Sequence, residues 1–475
     1  MIQKGKPASA AESFAQIKLL HLLTVAALLH LIVAVIIYKV GSLALLPGMF
    51  DAYGTGIFAT DGYVYRLEAI ALSRLLTGKG IRGWLAFPAP FHVKLYSLSY
   101  ALFGPVFGFN VLSTEPLNIL YYLAILMLVF LLGREVFDRR TGLLAAGTVA
   151  LWPSLLLHTT QLLRDPLFIV AMLALVLTYA RWLKRAHTSW ARALMTGAAG
   201  GIVVAVLFAN RSNVWDLVVA IVFMGGGLLI LCQLLEKRVS WGKLLGLCVL
   251  LILTLSVPKI IPEPPSHMEQ ATVRDLSQDQ DLSVLEDQTE IPVAASAEET
   301  QKPSVWDRLW TRIKEGRARF KTEYPNAGSN IDTEVQFNST GDVIRYLPRA
   351  LVIGFLAPFP QMWFQAGDLV GVQGRLLSGM ETLLMYAVEL LALYGLWQSR
   401  RRLNAWLLAS VATLGLMAFG LVVLNVATLY RMRYTFWMLL IILGAHGAVR
   451  LFQIRRARRR AFGMQPSSMI KSRRL

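Results

Sequence analysis

The fold of this chain is decided near its N-terminus by residues 19–38, LLHLLTVAALLHLIVAVIIY. The run contains no Asp, Glu, Lys or Arg, and about 20 apolar residues suffice for an α-helix to cross a bilayer. No small-residue cleavage site follows it, and similar apolar runs recur as far as Phe452. We therefore interpret the run as a retained membrane helix and not as a signal peptide.

The composition extends this interpretation to the whole chain of 475 residues. Apolar residues make up 55% of it, charged residues only 16%, and the mean hydropathy is +0.53. Because a lipid-exposed backbone must satisfy its hydrogen bonds within each segment, we predict an all-α polytopic membrane protein. Cys232 and Cys248 provide neither a disulfide framework nor metal-ligand spacing.

Basic residues between the apolar runs predict the topology. We expect about ten spans, at 19–38, 116–133, 142–157, 166–182, 193–209, 214–235, 243–261, 380–397, 405–424 and 434–452. Lys and Arg cluster in alternate connections and in the C-terminal tail, which places those regions and both termini on the cytoplasmic side. The net charge of +18 is thus explained by orientation and anionic lipid, and we expect no nucleic-acid partner.

One apolar segment, Leu347–Gln365, is predicted not to cross. A crossing would move Arg400–Arg402 to the outer side, and Pro358 and Pro360 would interrupt any helix through it. We interpret it as an interfacial or re-entrant segment. The expected organisation is a membrane core over 1–261 with a first outer loop at 39–115, a large outer region over 262–379, and C-terminal membrane helices with a basic tail over 380–475.

Three outer segments have amphipathic patterns. Phe58–Leu76 places Tyr65, Ala69, Leu72 and Leu76 on one face and is expected to end at the glycines from Gly78 onward. Pro88–Gly104 predicts a second, aromatic-rich helix, and Trp306–Lys321 predicts a basic helix lying on the membrane surface. The intervening stretch Pro262–Gln301 is acidic and poor in apolar residues, so we expect it to be flexible.

Acidic residues beside a membrane core require a reason, and one stretch of the first outer loop, residues 51–76, carries three. In Asp51–Leu76, DAYGTGIFATDGYVYRLEAIALSRLL, we take Asp61 as the candidate catalytic carboxylate and Asp51 as its rival. Glu68 is assigned to a solvated helix face. Tyr65, His92, His158 and Tyr430 are further candidates on the same side.

The outer turn at Arg164-Asp165-Pro166 has two interpretations. Asp165 either caps the helix that Pro166 begins, or serves as a second carboxylate facing Asp61, where the two would share a metal ion or orient an acceptor. Arg164 would pair with either carboxylate or bind phosphate.

Three more arginines occupy outer turns. Arg211, Arg431 and Arg433 either extend to the membrane surface or bind phosphate, and the last two run against the orientation trend.

In the order of these motifs the chain resembles the GT-C superfamily of membrane glycosyltransferases, which includes protein O-mannosyltransferases and the lipid A aminoarabinose transferase. The resemblance rests on Thr60–Tyr65, on Pro88–Tyr96 leading to Phe103-Gly104, on Arg164-Asp165-Pro166 and on Leu429–Tyr434. It covers the first 260 residues or so well and the last 50 loosely. The family often has two adjacent acidic residues at the first motif, whereas Gly62 follows Asp61 here, so metal binding and the identity of the base stay open.

The resemblance implies an inverting enzyme that crosses the inner membrane several times and has its active site on the periplasmic or outer face. Its donor would be a polyprenyl-phosphate-linked sugar, and its acceptor a glycan, lipid or protein. An O-antigen or exopolysaccharide polymerase or ligase is the first alternative, favoured if the loop 303–379 is catalytic. A lipid or polysaccharide transporter is the second, although the chain shows no internal repeat.

Overall fold

The computed structural model describes residues 10–185, 188–265, 267–268, 305–323, 328–364 and 371–463. This part of the chain contains helices and two isolated β-bridges. The helices are α1 Ala10–Ser42, α2 Asp61–Ala86, α3 Phe91–Phe107, α4 Val111–Val136, α5 Arg139–Ala150, α6 Pro153–Thr159, α7 Asp165–Lys184, α8 Trp190–Asn210, α9 Trp215–Leu235, α10 Trp241–Ile260, α11 Val305–Glu323, α12 Thr340–Leu356, α13 Gly371–Gln398, α14 Leu403–Val422, α15 Val426–Met432 and α16 Tyr434–Gly463.

Nine helices within the described residues are long and apolar enough to cross a membrane, and a bent pair makes a tenth candidate. This confirms the prediction of an all-α polytopic membrane protein. The bent pair, α5 and α6, replaces the straight span predicted at 142–157, with an angle of 68° between the two helices. Pro153 begins α6, where its missing N–H costs no helical hydrogen bond, so the second half of the span starts in a new direction.

The segment predicted to be re-entrant forms α12 and then breaks. The helix ends at Leu356, and a short turn at Pro360–Met362 follows. The carbonyl oxygen of Leu356 accepts a hydrogen bond from Tyr386, which lies near the middle of α13. The broken end of α12 therefore lies beside the middle of a candidate membrane span. It stays a prediction that the segment turns back without crossing the membrane.

The helices predicted on the outer side differ from prediction in length. The first begins at Asp61 and continues past Gly78 to Ala86, with a kink at Gly80, whose φ of 71° is accessible to glycine. It packs against α3 around the buried rings of Tyr65, Tyr96 and Tyr100. Most of the stretch expected to be flexible, 262–301, lies outside the described residues.

Candidate active site

The guanidinium of Arg431 lies between two carboxylates from distant parts of the chain. One of its terminal nitrogens is 2.5 Å from Oδ2 of Asp61, and its Nε is 3.2 Å from Oδ2 of Asp165. Asp61 is the first residue of α2, Asp165 the first residue of α7, and Arg431 belongs to the short helix α15. The fold thus joins three of the residues singled out from the sequence in one ion-pair network.

Asp165 is held from its other side by Arg211. The distance from a terminal nitrogen of Arg211 to Oδ1 of Asp165 is 3.0 Å, and both side chains are buried. No side-chain hydrogen bond caps α7, so the capping interpretation of Asp165 is wrong. Arg211 is only 2% exposed, so its interpretation as an arginine reaching for the membrane surface is also wrong.

Arg164 is the third cation of this group. The side-chain amide of Asn210 donates to its backbone oxygen at 2.9 Å, which fixes the turn before α7 against the end of α8. Its Nε, and the Nε and one terminal nitrogen of Arg211, are buried without hydrogen-bond partners. Buried donors of this kind are costly unless they meet an acceptor, so they mark a place suited to an anion.

The network sets the charge state of Asp61. Burial by itself would raise the pKa of this carboxyl group, but the nearby guanidinium groups of Arg431 and Arg164 outweigh burial and lower the pKa to about 2. Asp61 is therefore ionised at neutral pH. The three arginines and two aspartates together carry one surplus positive charge.

A cluster of three rings, Tyr65, His92 and His267, lies close to Asp61 in the structure. Tyr65, one helical turn further along α2, is stacked on His267 with ring centroids 5.4 Å apart and contacts the edge of the buried His92 at 4.3 Å. Burial is the largest cause that lowers the pKa of His92, followed by Arg164, so this imidazole is neutral. Both of its ring nitrogens lack hydrogen-bond partners.

Glu68 does not occupy a solvated face, and that prediction is wrong. It is 1% exposed, accepts a hydrogen bond from the backbone N–H of Met268 at 2.8 Å, and lies 3.4 Å from Nδ1 of His267. No local pattern predicts this contact, because Met268 lies 200 residues from Glu68 in the chain.

Asp51, His158 and Tyr430 make contacts outside the ion-pair network. The carboxylate of Asp51 accepts hydrogen bonds from the backbone of Tyr53 and Thr55, at 3.0 and 2.6 Å, and so fixes a local turn. His158 lies 2.6 Å from the backbone oxygen of Ser154. The hydroxyl group of Tyr430 donates a hydrogen bond to Glu381.

Arg433 lies apart from the network and is not placed as a phosphate ligand. It is fully buried, donates to the backbone oxygen of Gly354 at 3.3 Å, and lies 3.8 Å from the ring centroid of Trp437. Its cation thus faces the C-terminal end of α12, where helix carbonyls lack partners. Arg433 therefore contacts neither Asp61 nor Asp165, in contrast to Arg431.

The carboxylates do not fit a shared metal ion in this arrangement. Asp61 and Asp165 are each paired with Arg431, so a cation between them would have to displace the guanidinium. Among the described residues, no group of three or more His, Cys, Asp or Glu side chains comes together as a metal site. A side chain at Gly62 would be crowded, since its Cβ would lie 3.2 Å from the Thr55 methyl group.

Two buried acidic residues were missed from the sequence. Glu381 of α13 and Glu115 of α4 are each 2% exposed, and Glu115 lies 2.6 Å from the buried His30 of α1. A signal existed, because an acidic residue within or beside an apolar run marks a site of interest.

No family model matches the sequence, and no curated protein matches it. Among solved structures, the chain is similar to the archaeal oligosaccharyltransferase AglB from Archaeoglobus fulgidus, solved in complex with an inhibitory peptide and a dolichol-phosphate. The match covers 94% of this chain, with a TM-score of 0.45 and 14% sequence identity. The chain spans about half the length of that protein, 52% of which is covered.

Proposed function

We propose that the protein is an inverting glycosyltransferase of the GT-C type that moves a sugar from a polyprenyl-phosphate donor to an acceptor on the outer face of the membrane. The observation that carries this proposal is the network of Asp61, Asp165, Arg211 and Arg431, with Arg164 beside it. It combines an ionised carboxylate with buried guanidinium donors. These are the two kinds of group that a displacement at a sugar phosphate requires.

In the reaction, an acceptor hydroxyl attacks the anomeric carbon while the bond from that carbon to the phosphate oxygen breaks. Asp61 takes the hydroxyl proton, and the departing electron pair stays on the phosphate of the lipid carrier. One displacement inverts the anomeric configuration. Because Asp61 and Arg431 are in contact, a donor phosphate that drew the guanidinium toward itself would also release the carboxylate to act as a base.

The charge of the site favours a phosphodiester over a diphosphate. One surplus positive charge balances the single negative charge of a sugar linked through one phosphate. The unpartnered nitrogens of Arg164 and Arg211 supply donors for its oxygens. A diphosphate-linked donor would leave net negative charge in a buried site, which is costly.

Two alternatives have less support. A polymerase or ligase would draw catalytic groups from the region 303–379, whereas the carboxylates that contact Arg431 belong to α2 and α7. A transporter does not require an ionised carboxylate whose pKa is lowered to about 2 at the outer end of its helices.

The test is the variant Asp61→Asn assayed with a panel of synthetic polyprenyl-phosphate hexoses and pentoses. Loss of the base predicts a fall in turnover of about 100-fold or more, because general-base catalysis typically contributes about 10²–10⁴-fold. The matched control is Asp51→Asn, whose amide oxygen can still accept the backbone hydrogen bonds of its turn, and which should retain turnover. Size-exclusion chromatography checks folding, and wild-type turnover by a folded Asp61→Asn protein would reject the assignment.

The donor class can be identified independently of turnover. Mass spectrometry of lipids that co-purify with the wild-type protein is expected to find a polyprenyl phosphate or its monosaccharide derivative. Recovery of diphosphate-linked lipids instead would contradict the charge argument.

A further inference from the structure

Glu381 is a buried acidic residue inside a candidate membrane helix, α13, and it is surrounded by donors. Its Oε1 accepts a hydrogen bond from the backbone N–H of Ser154 at 2.7 Å. Its Oε2 accepts from the hydroxyl groups of Ser154 and Tyr430. An acidic residue at this depth is expensive unless its charge is compensated, so the contacts call for an explanation beyond packing.

Glu381, Ser154 and Tyr430 connect parts of the chain that carry the candidate site. Ser154 lies at the start of α6, which leads into the turn bearing Arg164 and Asp165. Tyr430 directly precedes Arg431 on α15. Glu381 therefore joins the segment that carries the central arginine to the segment that leads to one of its two carboxylate partners.

We propose that Glu381 is a positioning residue for Arg431, and through it for the phosphate of the donor. It holds Tyr430 against the bend between α5 and α6, so that the guanidinium of Arg431 lies between Asp61 and Asp165. This inference rests on the proposed function and assigns to that site a residue that does not itself touch the substrate.

A carboxylate suits this position because an ionised carboxylate is only an acceptor. The N–H and hydroxyl of Ser154 and the hydroxyl of Tyr430 can all donate to it at once. A glutamine of the same shape would keep an oxygen for the N–H of Ser154 but present an N–H₂ group to the two hydroxyls, which would then have to accept. The charge-assisted contact with Tyr430 would become a weaker neutral one, so the turn that carries Arg431 would be held less firmly.

The experiment compares Glu381→Gln with Tyr430→Phe and with a matched control, Glu389→Gln. Glu389 lies two helical turns further along α13 and does not contact Ser154 or Tyr430. Binding of a fluorescent polyprenyl phosphate to the full-length protein in detergent is measured first. The Michaelis constants for donor and acceptor follow.

Glu381→Gln should weaken binding of the polyprenyl phosphate and raise the donor KM by about tenfold, as expected for one lost hydrogen bond to a charged group. Tyr430→Phe should act in the same direction, while the acceptor KM stays within about twofold of wild type in both variants. Glu389→Gln should leave the donor KM unchanged.

Equal donor binding by wild type, Glu381→Gln and Tyr430→Phe would overturn the positioning role while leaving the proposed function intact. A uniform loss of thermal stability with unchanged donor KM would reduce Glu381 to a structural contact and also overturn it. If the wild-type protein binds no polyprenyl phosphate, the proposed function itself fails. Tyr430→Phe removes only one hydroxyl group, so the test stands even if Glu381→Gln does not fold.

Discussion

At the scale of single residues, the site depends on one arginine that serves two carboxylates. Arg431 is 2.5 Å from Asp61 and 3.2 Å from Asp165, and burial makes these contacts stronger than they would be in water. The same contacts lower the pKa of Asp61 to about 2, far below the value that burial alone would give. In the proposed reaction, Asp61 is therefore kept ionised at the expense of its basicity until a ligand competes for Arg431.

The pH dependence of the reaction follows from this pairing. A carboxyl group whose pKa is lowered stays ionised as the pH falls until that pKa is approached. With wild-type protein, kcat/KM for the donor should therefore show no limb from Asp61 between about pH 5 and about pH 8. In Arg431→Gln, the raising effect of burial is opposed mainly by Arg164, so the pKa of Asp61 rises and an acid limb should move toward this range.

The measurement is the rate at low donor concentration across that pH range, with Asp51→Asn as the control. A wild-type acid limb that disappears in Asp61→Asn would show that the pairing with Arg431 does not hold during the proposed reaction. Identical pH profiles for wild type and Arg431→Gln would lead to the same conclusion.

At the scale of elements, the broken end of α12 explains why Arg433 is buried. The helix runs antiparallel to α14, with Ala350 beside Gly420 and Gly354 beside Leu416. Its last carbonyls face the membrane core, where an unsatisfied carbonyl costs several kcal/mol. Arg433 and Tyr386 donate to Gly354 and Leu356 and so satisfy two of them.

The close approach of α12 and α14 depends on glycine. A Cβ atom at Gly420 would lie 2.0 Å from the carbonyl oxygen of Ala350, so Gly420→Ala must push the helices apart. We expect it to destabilise the protein by about 1–3 kcal/mol, the usual range for overpacking. The measurement is the unfolding temperature of the purified protein in detergent.

Gly227→Ala is the matched control, because nothing lies within 4 Å of a Cβ atom at that position of α9. It should leave the unfolding temperature unchanged or raise it slightly, since alanine favours a helix more than glycine does. Equal unfolding temperatures for the two variants would mean that α12 is not tightly packed on α14.

At the scale of the whole molecule, the topology predicted from the basic residues is consistent with the arrangement of the candidate site. The positive-inside rule, applied to the sequence alone, assigns Asp61, Arg164, Asp165, Arg211 and Arg431 to one side of the membrane. The fold brings these residues together at the ends of their helices, which they could reach only from one side. The bent pair of α5 and α6 has to count as one crossing for this to hold.

Cysteine labelling can test this topology and the re-entrant segment together. In a background lacking Cys232 and Cys248, a cysteine replacing the exposed Gln336 should react with a membrane-impermeant maleimide in intact cells. One replacing the exposed Arg401 should react only after permeabilisation. If both positions were labelled from outside, the segment 347–365 would cross the membrane and the expected number of spans would be wrong.

The sequence by itself determined the class of fold and the approximate spans, and it predicts the side on which the candidate residues lie. These depend on hydrophobic length and on charge near the span ends, which are local properties of the chain. It also supplied Asp61, Asp165, Arg164, Arg211 and Arg431 as candidates, because charged groups beside an apolar core stand out in the sequence.

Tertiary structure alone decided which of these charges are partners. Asp61 and Arg431 are 370 residues apart in the chain, and nothing local predicts that they meet. Tertiary structure also brings Arg433 to the end of α12, where it donates to Gly354. It buries Glu68 against His267 and Met268, and it brings Glu381 into a hydrogen bond with Tyr430. The physical reason is that ion pairing and burial depend on distances set by the packing of many helices, whereas the membrane environment acts on each helix separately.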